Sequence, residues 1–180
     1  MPLPPCTRFV APAVLASCLL GACSPVFNWR EVPIADDGLV ALLPCKPDRA
    51  TRSLPLGPGA TITVDMAGCE AGGATFAVAH ATADDAAQAE RWMNAWRAAT
   101  RSQLVGRSVA EVPATLLRAS PSPAPVRLDV QDAPGSPPPA HMLWFAQQRA
   151  GKIALYQATV LGRPESADAL TTFLEGLRLP

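Results

Sequence analysis

Five cysteines, two histidines and a few paired acids carry most of the chemistry open to this 180-residue chain. A zinc site would need closely spaced ligands. No two cysteines stand in a Cys-x-x-Cys spacing, and His80 and His141 are far apart, so no metal site is expected. Nucleophilic catalysis needs a nucleophile, a base and an orienting group within reach of one another. His80 falls on the apolar side of an alternating segment, where a packed core histidine is the plainer reading, and His141 follows three prolines at an exposed position. Asp36-Asp37 and Asp84-Asp85 are adjacent pairs that suit a turn and a helix start rather than an acid and a base. Gly57-Pro58-Gly59 and Gly72-Gly73 lack the lysine and helix context of a phosphate loop. The expectation is a non-catalytic protein with no catalytic residues and no cofactor.

Composition gives a soluble globular domain with a processed end. Fifteen basic and fifteen acidic residues cancel, so no charge excess points to nucleic acid or an anionic surface. With 49% hydrophobic and 17% charged residues the chain is too apolar to be disordered. Its length suits one domain. Residues 9–22 form an uncharged, mostly apolar run, of a length that suits a signal peptide better than the roughly 20 residues of a spanning helix. The run ends in Leu20-Gly21-Ala22-Cys23. This tetrapeptide resembles the lipobox of bacterial lipoproteins, in which small residues give a peptidase access and the cysteine thiol carries a diacylglyceryl group. The competing reading is a chance cysteine in an Ala/Leu/Gly-rich stretch. The resemblance implies a signal peptide over 1–22, lipidation of Cys23, a tether over 23–27 and a single domain over 28–180. Three acyl chains on Cys23 would hold the protein to the bilayer permanently. Ser24, in place of an aspartate, implies the outer membrane, with the domain facing the periplasm.

That compartment is oxidising. Cys6 and Cys18 would leave with the leader and Cys23 would be acylated, so Cys45 and Cys69 remain as an even pair. A disulfide between them is expected, against the alternative of two buried thiols. Strand alternation opposes the bridge. Ile62, Val64 and Met66 point inward, which places Cys69 on the polar side unless a bulge near Gly68 changes the strand's course.

Periodicity supplies the elements that position these residues. Residues 28–43 read as a hairpin turning at 35–38, and 52–56, broken by Pro55, as an edge strand. Residues 60–66 and 74–80 alternate as strands around a turn at 68–73, with Phe76, Val78 and His80 on one face. Residues 84–101 form the clearest helix, with Ala89, Trp92, Met93, Trp96 and Ala99 on one stripe. The two tryptophans are expected to pack on the sheet through Phe76 and Val78 rather than to lie on a membrane. A short strand over 126–130 sits between proline-rich loops within 119–139, and 141–148 with 153–161 make a second hairpin. A last helix starts near Pro164 and stops at Gly176, and residues 177–179 return to the sheet.

The fold class expected is α+β: a twisted antiparallel sheet with one long helix and a C-terminal helix. Residues 38–180 resemble PsbP-like domains, in which a strand runs into Pro-x-x-Pro, a hairpin carries a tyrosine and the chain ends on a Phe-Leu pattern. Pro44, Pro47, Tyr156, Phe173, Leu174, Leu177 and Arg178 stand in those places. The fragments around 27–32 and 42–79 are also similar to uncharacterised lipoproteins of proteobacteria. Such domains mostly bind proteins or assist assembly, which implies an envelope protein partner. The alternative is a carrier of a small ligand or metal that uses a helix-free face of the sheet.

Overall fold

The computed structural model describes residues 26–36, 38–57, 60–131, 135 and 137–180. The leader, Cys23 and Ser24 lie outside them. Eleven elements follow in the order β1 (Arg30–Ile34), β2 (Leu39–Leu43), β3 (Asp48–Gly57), β4 (Ala60–Ala71), β5 (Ala74–Ala83), α1 (Ala86–Ser102), β6 (Val109–Pro113), β7 (Val126–Val130), β8 (Ala140–Arg149), β9 (Lys152–Gly162) and α2 (Ala169–Glu175). The class is α+β. Seven strands form one antiparallel sheet in the order β3-β4-β5-β9-β8-β7-β6, and β1 and β2 form a separate antiparallel pair.

Alternation along the central strands sorts side chains onto two faces. Phe76 and Val78 of β5, Phe145 of β8 and Tyr156, Ala158 and Val160 of β9 face one side, where β1, β2 and α2 cover them. Ala79, Ala81 and Ala83 of β5, Met142 and Trp144 of β8 and Leu155 of β9 face the other, where α1 lies. Both faces are thus covered over most of their length, and among the described residues neither is helix-free: α2 and the β1–β2 pair occupy the one that the sequence left bare.

The long helix begins where its caps predict. The Asp85 carboxylate accepts the Gln88 amide at 2.7 Å, which satisfies one of the donors a helix start leaves open, and the Gln88 side chain reaches back to accept the Asp84 amide at 2.6 Å. Ala89, Met93 and Trp96 are buried and Trp92 is half-buried. Their packing corrects the expectation about Phe76 and Val78. Those residues belong to the opposite face, and Trp96 instead lies over the alanine side of β5 together with Met142, Trp144 and Leu155. The reason is volume. An indole needs room that the alanines of β5 leave, whereas the Phe76 side is already filled by Phe173 and Trp29, whose rings meet Phe76 edge-on at 5.5 and 6.2 Å.

Several boundaries differ from the periodic reading: β3 spans Asp48–Gly57 rather than 52–56, and β5 runs on to Ala83. β4 runs on to Ala71, so the 68–73 turn shrinks to Gly72 and Gly73, both at positive φ (54° and 76°). α2 starts at Ala169, five residues after Pro164. The C-terminal segment pairs not with the main sheet but with β2: Val40 and Arg178 exchange backbone bonds of 2.9 and 2.8 Å, and Leu42 donates to the Gly176 carbonyl at 3.1 Å. Gly176 is required there, because a Cβ would stand 2.4 Å from the Leu42 Cβ.

Because Trp96 is 3% exposed, Trp96→Ala is expected to cost about 3–5 kcal/mol. Trp92→Ala is expected to cost less, about 1–2 kcal/mol, since that side chain is only partly buried. Urea unfolding of the two variants checks the contrast.

Candidate functional site

The sequence-derived sites part company in the structure. Cys23 lies outside the described residues. Cys45 and Cys69 are joined, with their Cα atoms 6.0 Å apart. No bulge is needed at Gly68, since the β4–β5 register runs unbroken from Asp65↔His80 through Cys69↔Phe76 to Ala71↔Ala74. The supposed polar side of β4 is polar only at Thr61, Thr63 and Asp65. From Ala67 onward it lies beneath the β1–β2 layer, so Cys69 faces Cys45 by ordinary alternation.

His80 occupies the apolar face, 5% exposed, with its ring centroid 5.2 Å from that of Tyr156. It sits in a cross-strand row with Asp65 and Tyr156, inside the core rather than in an open cleft. His141 departs from expectation. It is half-buried rather than exposed, and its Nδ1 lies 2.6 Å from Asp129 Oδ1, which also accepts from Arg127 Nε at 2.9 Å. This trio fastens β7 to β8. Among the described residues no three metal-ligating side chains gather into a cluster, and no helix is long and apolar enough to cross a membrane.

One surface combines an open backbone with exposed apolar side chains. β6 is an edge strand. Ser108, Ala110, Val112 and Ala114 turn their polar backbone toward β7, as the bonds Gln131 N to Ser108 O (3.0 Å) and Ala114 N to Pro125 O (3.0 Å) fix. Val109 and Glu111 therefore aim their N–H and C=O groups away from the sheet, and Pro113 aims a C=O alone. The opposite edge, β3, is protected: it carries Arg49, Arg52 and Pro55, and a register shift between Pro55 and Gly57 bends its end. β6 has one charge, Glu111, and that carboxylate is held from α1 by Arg97 and by Arg101, the latter at 2.7 Å. The remaining side chains of the strand are small or apolar.

Beside β6, on the face away from α1, a groove of about 770 Å³ runs between the 112–118 segment and α2, floored by Leu143, Leu174, Leu177 and Leu179. Val112 and Leu117, 46% and 84% exposed, line it and add apolar surface that water does not favour. Sequence reading missed this edge. Five residues with a central glutamate and a terminal proline give no alternation long enough to mark a strand, and the valines at 109 and 112 are the only signal.

Neither a protein-family model nor a curated protein matches the chain.

Two outcomes are expected. Cys45→Ala/Cys69→Ala should lower stability by about 2–5 kcal/mol, read as a fall in the urea midpoint. Under native hydrogen exchange the Val109 and Glu111 amides should exchange much faster than those of Ala110 and Val112.

Proposed function

We propose that the chain is a lipid-anchored, periplasm-facing outer-membrane protein, non-catalytic, that binds an envelope protein partner at the β6 edge. The observation that carries this reading is the coincidence of outward-facing backbone groups on Val109 and Glu111 with exposed Val112 and Leu117 beside a leucine-floored groove. An extended partner segment would add an eighth strand by backbone hydrogen bonds and seat its alternate side chains in the groove, as in strand addition generally. The arrangement suits assembly or scaffolding. It binds a strand of apolar alternation and brings no reacting group to it. The PsbP-like resemblance supports the same class of role. The leader, the acyl group on Cys23 and the outer-membrane destination rest on Leu20-Gly21-Ala22-Cys23-Ser24.

A carrier role is the second reading. An apolar groove of about 760 Å³ beside α1 favours it for a small apolar ligand. The metal form of that reading has no cluster of ligands among the described residues to support it.

A photocrosslinking residue placed at 112 or 117 in the native envelope should capture one discrete protein, and the same residue at Arg91 on the outer side of α1 should not. Leu117→Glu should abolish capture without shifting the melting temperature. The Cys23→Ala form should leave the membrane fraction and lose capture. Equal labelling at all three positions, or capture that survives Leu117→Glu, overturns the strand-addition reading.

A further inference from the structure

The sheet is longer than the helix that covers it. α1 has 17 residues, about 26 Å at 1.5 Å per residue. β9 has 11, about 36 Å at 3.3 Å per residue. The helix starts three residues beyond the end of β5, so the two are level at that end. The shortfall, roughly 10 Å, falls at the other end, over Thr75, Ala77 and Thr159. The groove of about 760 Å³ lies there. Trp96 and Leu104 of the helix side form one wall and Pro137–Pro139 the other. Arg107 holds that proline wall in place, donating to the Pro137 and Pro138 carbonyls at 2.8 and 2.9 Å. Arg107 is also the one charged residue in the lining, which contains no carboxylate among its described residues. The size fits a single small apolar ligand, for which roughly 300–1,000 Å³ is usual.

The position of the groove narrows what enters it. Its open end is the β4–β5 turn, where Gly73 and Gly162 form a lip without side chains. The Phe27 ring packs against Gly72 of the same turn, on the face that β1 and β2 cover, so the chain enters the domain at this end of the sheet. Leu161, 45% exposed, lines the groove at the same end. Cys23 precedes Val26 by three residues, a reach of at most about 10 Å. An acylated Cys23 would therefore hold the groove's mouth within a tether's length of the bilayer.

We propose that the groove receives one acyl chain of a membrane phospholipid, entering past Gly73 and Leu161 toward Trp96. This site is distinct from the β6 edge, and it rests on the anchored reading for the orientation of its mouth. The lining suits the ligand. It is mostly apolar, with Thr75, Thr100, Gln103, Gln157 and Thr159 as its uncharged polar members, and it sets no negative charge against an anionic headgroup left at the mouth.

The test uses the full chain carrying Cys23→Ala, mixed with phosphatidylethanolamine/phosphatidylglycerol vesicles containing a phospholipid with a diazirine on its acyl chain. After irradiation, label is expected on peptides spanning 96–107 and 154–162. Ala77→Trp, which fills the floor, should abolish that labelling, and Leu161→Glu at the lip should do so without touching the floor, which covers the case that Ala77→Trp fails to fold. Melting temperatures of both variants report folding. Label that persists in a folded variant, or that never reaches these peptides, overturns the proposal. Acylation is read separately, from the intact mass of the protein taken from its own membranes. Groove labelling with an unmodified Cys23 upholds the site and overturns the anchor. An acylated Cys23 without groove labelling overturns the site alone.

Discussion

The central strands β5, β9 and β8 are apolar on both faces, and almost everything else in the molecule follows from having to cover both. Residues such as Phe76, Tyr156 and Phe145 on one side and Trp144, Leu155 and Met142 on the other are each essentially sealed from water. Burying a side chain of that size is worth about 1.5–3 kcal/mol relative to leaving it exposed. An antiparallel sheet with one solvated face would forgo half of that gain. α1 closes one face with Ala89, Met93 and Trp96, and the opposite face is closed by three thin pieces together: the β1–β2 pair, α2 and the C-terminal residues.

Thin covers need fastening. A two-stranded pair of five-residue strands is marginal by itself. Here it is held at several points. Arg178 adds a third strand position beside Val40. Arg49 Nη2 donates to the Pro33 carbonyl at 2.8 Å. The Cys45–Cys69 bridge ties the end of β2 to β4, next to Phe76 in the neighbouring strand. The bridge therefore acts on the layer least able to stay in place through its own backbone bonds. Its position explains why Cys69 can follow plain alternation: the cysteine is inward because the layer it is bonded to makes that side an interior.

How much could be read in the chain depends on whether a residue's role was local. The class, the long helix, the first hairpin, the 126–130 strand and the β8–β9 hairpin were all legible, since each rests on periodicity within one segment. The side taken by Trp96 was not. Phe76 and Ala79 belong to the same strand, and only the volumes contributed by Phe173 and Trp29 from distant segments decide which face an indole can occupy. The Cys45–Cys69 bridge is present as expected, but the side of Cys69 and the exposure of His141 were misjudged for a related reason. Cys69 was assigned to a polar side that another layer covers, and His141 was judged exposed from neighbouring prolines, whereas Asp129 on the adjacent strand holds it. β6 left almost no trace, because a strand that pairs on one edge and packs lightly needs little apolar patterning.

Covering a sheet also leaves remainders, and these are where the molecule can meet others. A seven-stranded sheet has two edges, and the one built from β3 carries arginines, a proline and a bent end, while β6 keeps its outward backbone groups beside Val112 and Leu117. Hydrogen-bonding groups on an edge are satisfied by water at no great cost, but exposed leucine and valine are not, so this edge gains from a strand in a way the other does not. The second remainder is set by length. A helix rises less than half as far per residue as a strand, so 17 helical residues cannot span an 11-residue strand, and the uncovered end becomes a groove. Filling it from within would take nearly two more turns of helix after Ser102. Instead the chain breaks there, passes through Gly106 at a φ of 82°, and uses Arg107 to brace the proline wall across the gap. The opening is thus held by its own hydrogen bonds, and a ligand that enters finds the walls already in place.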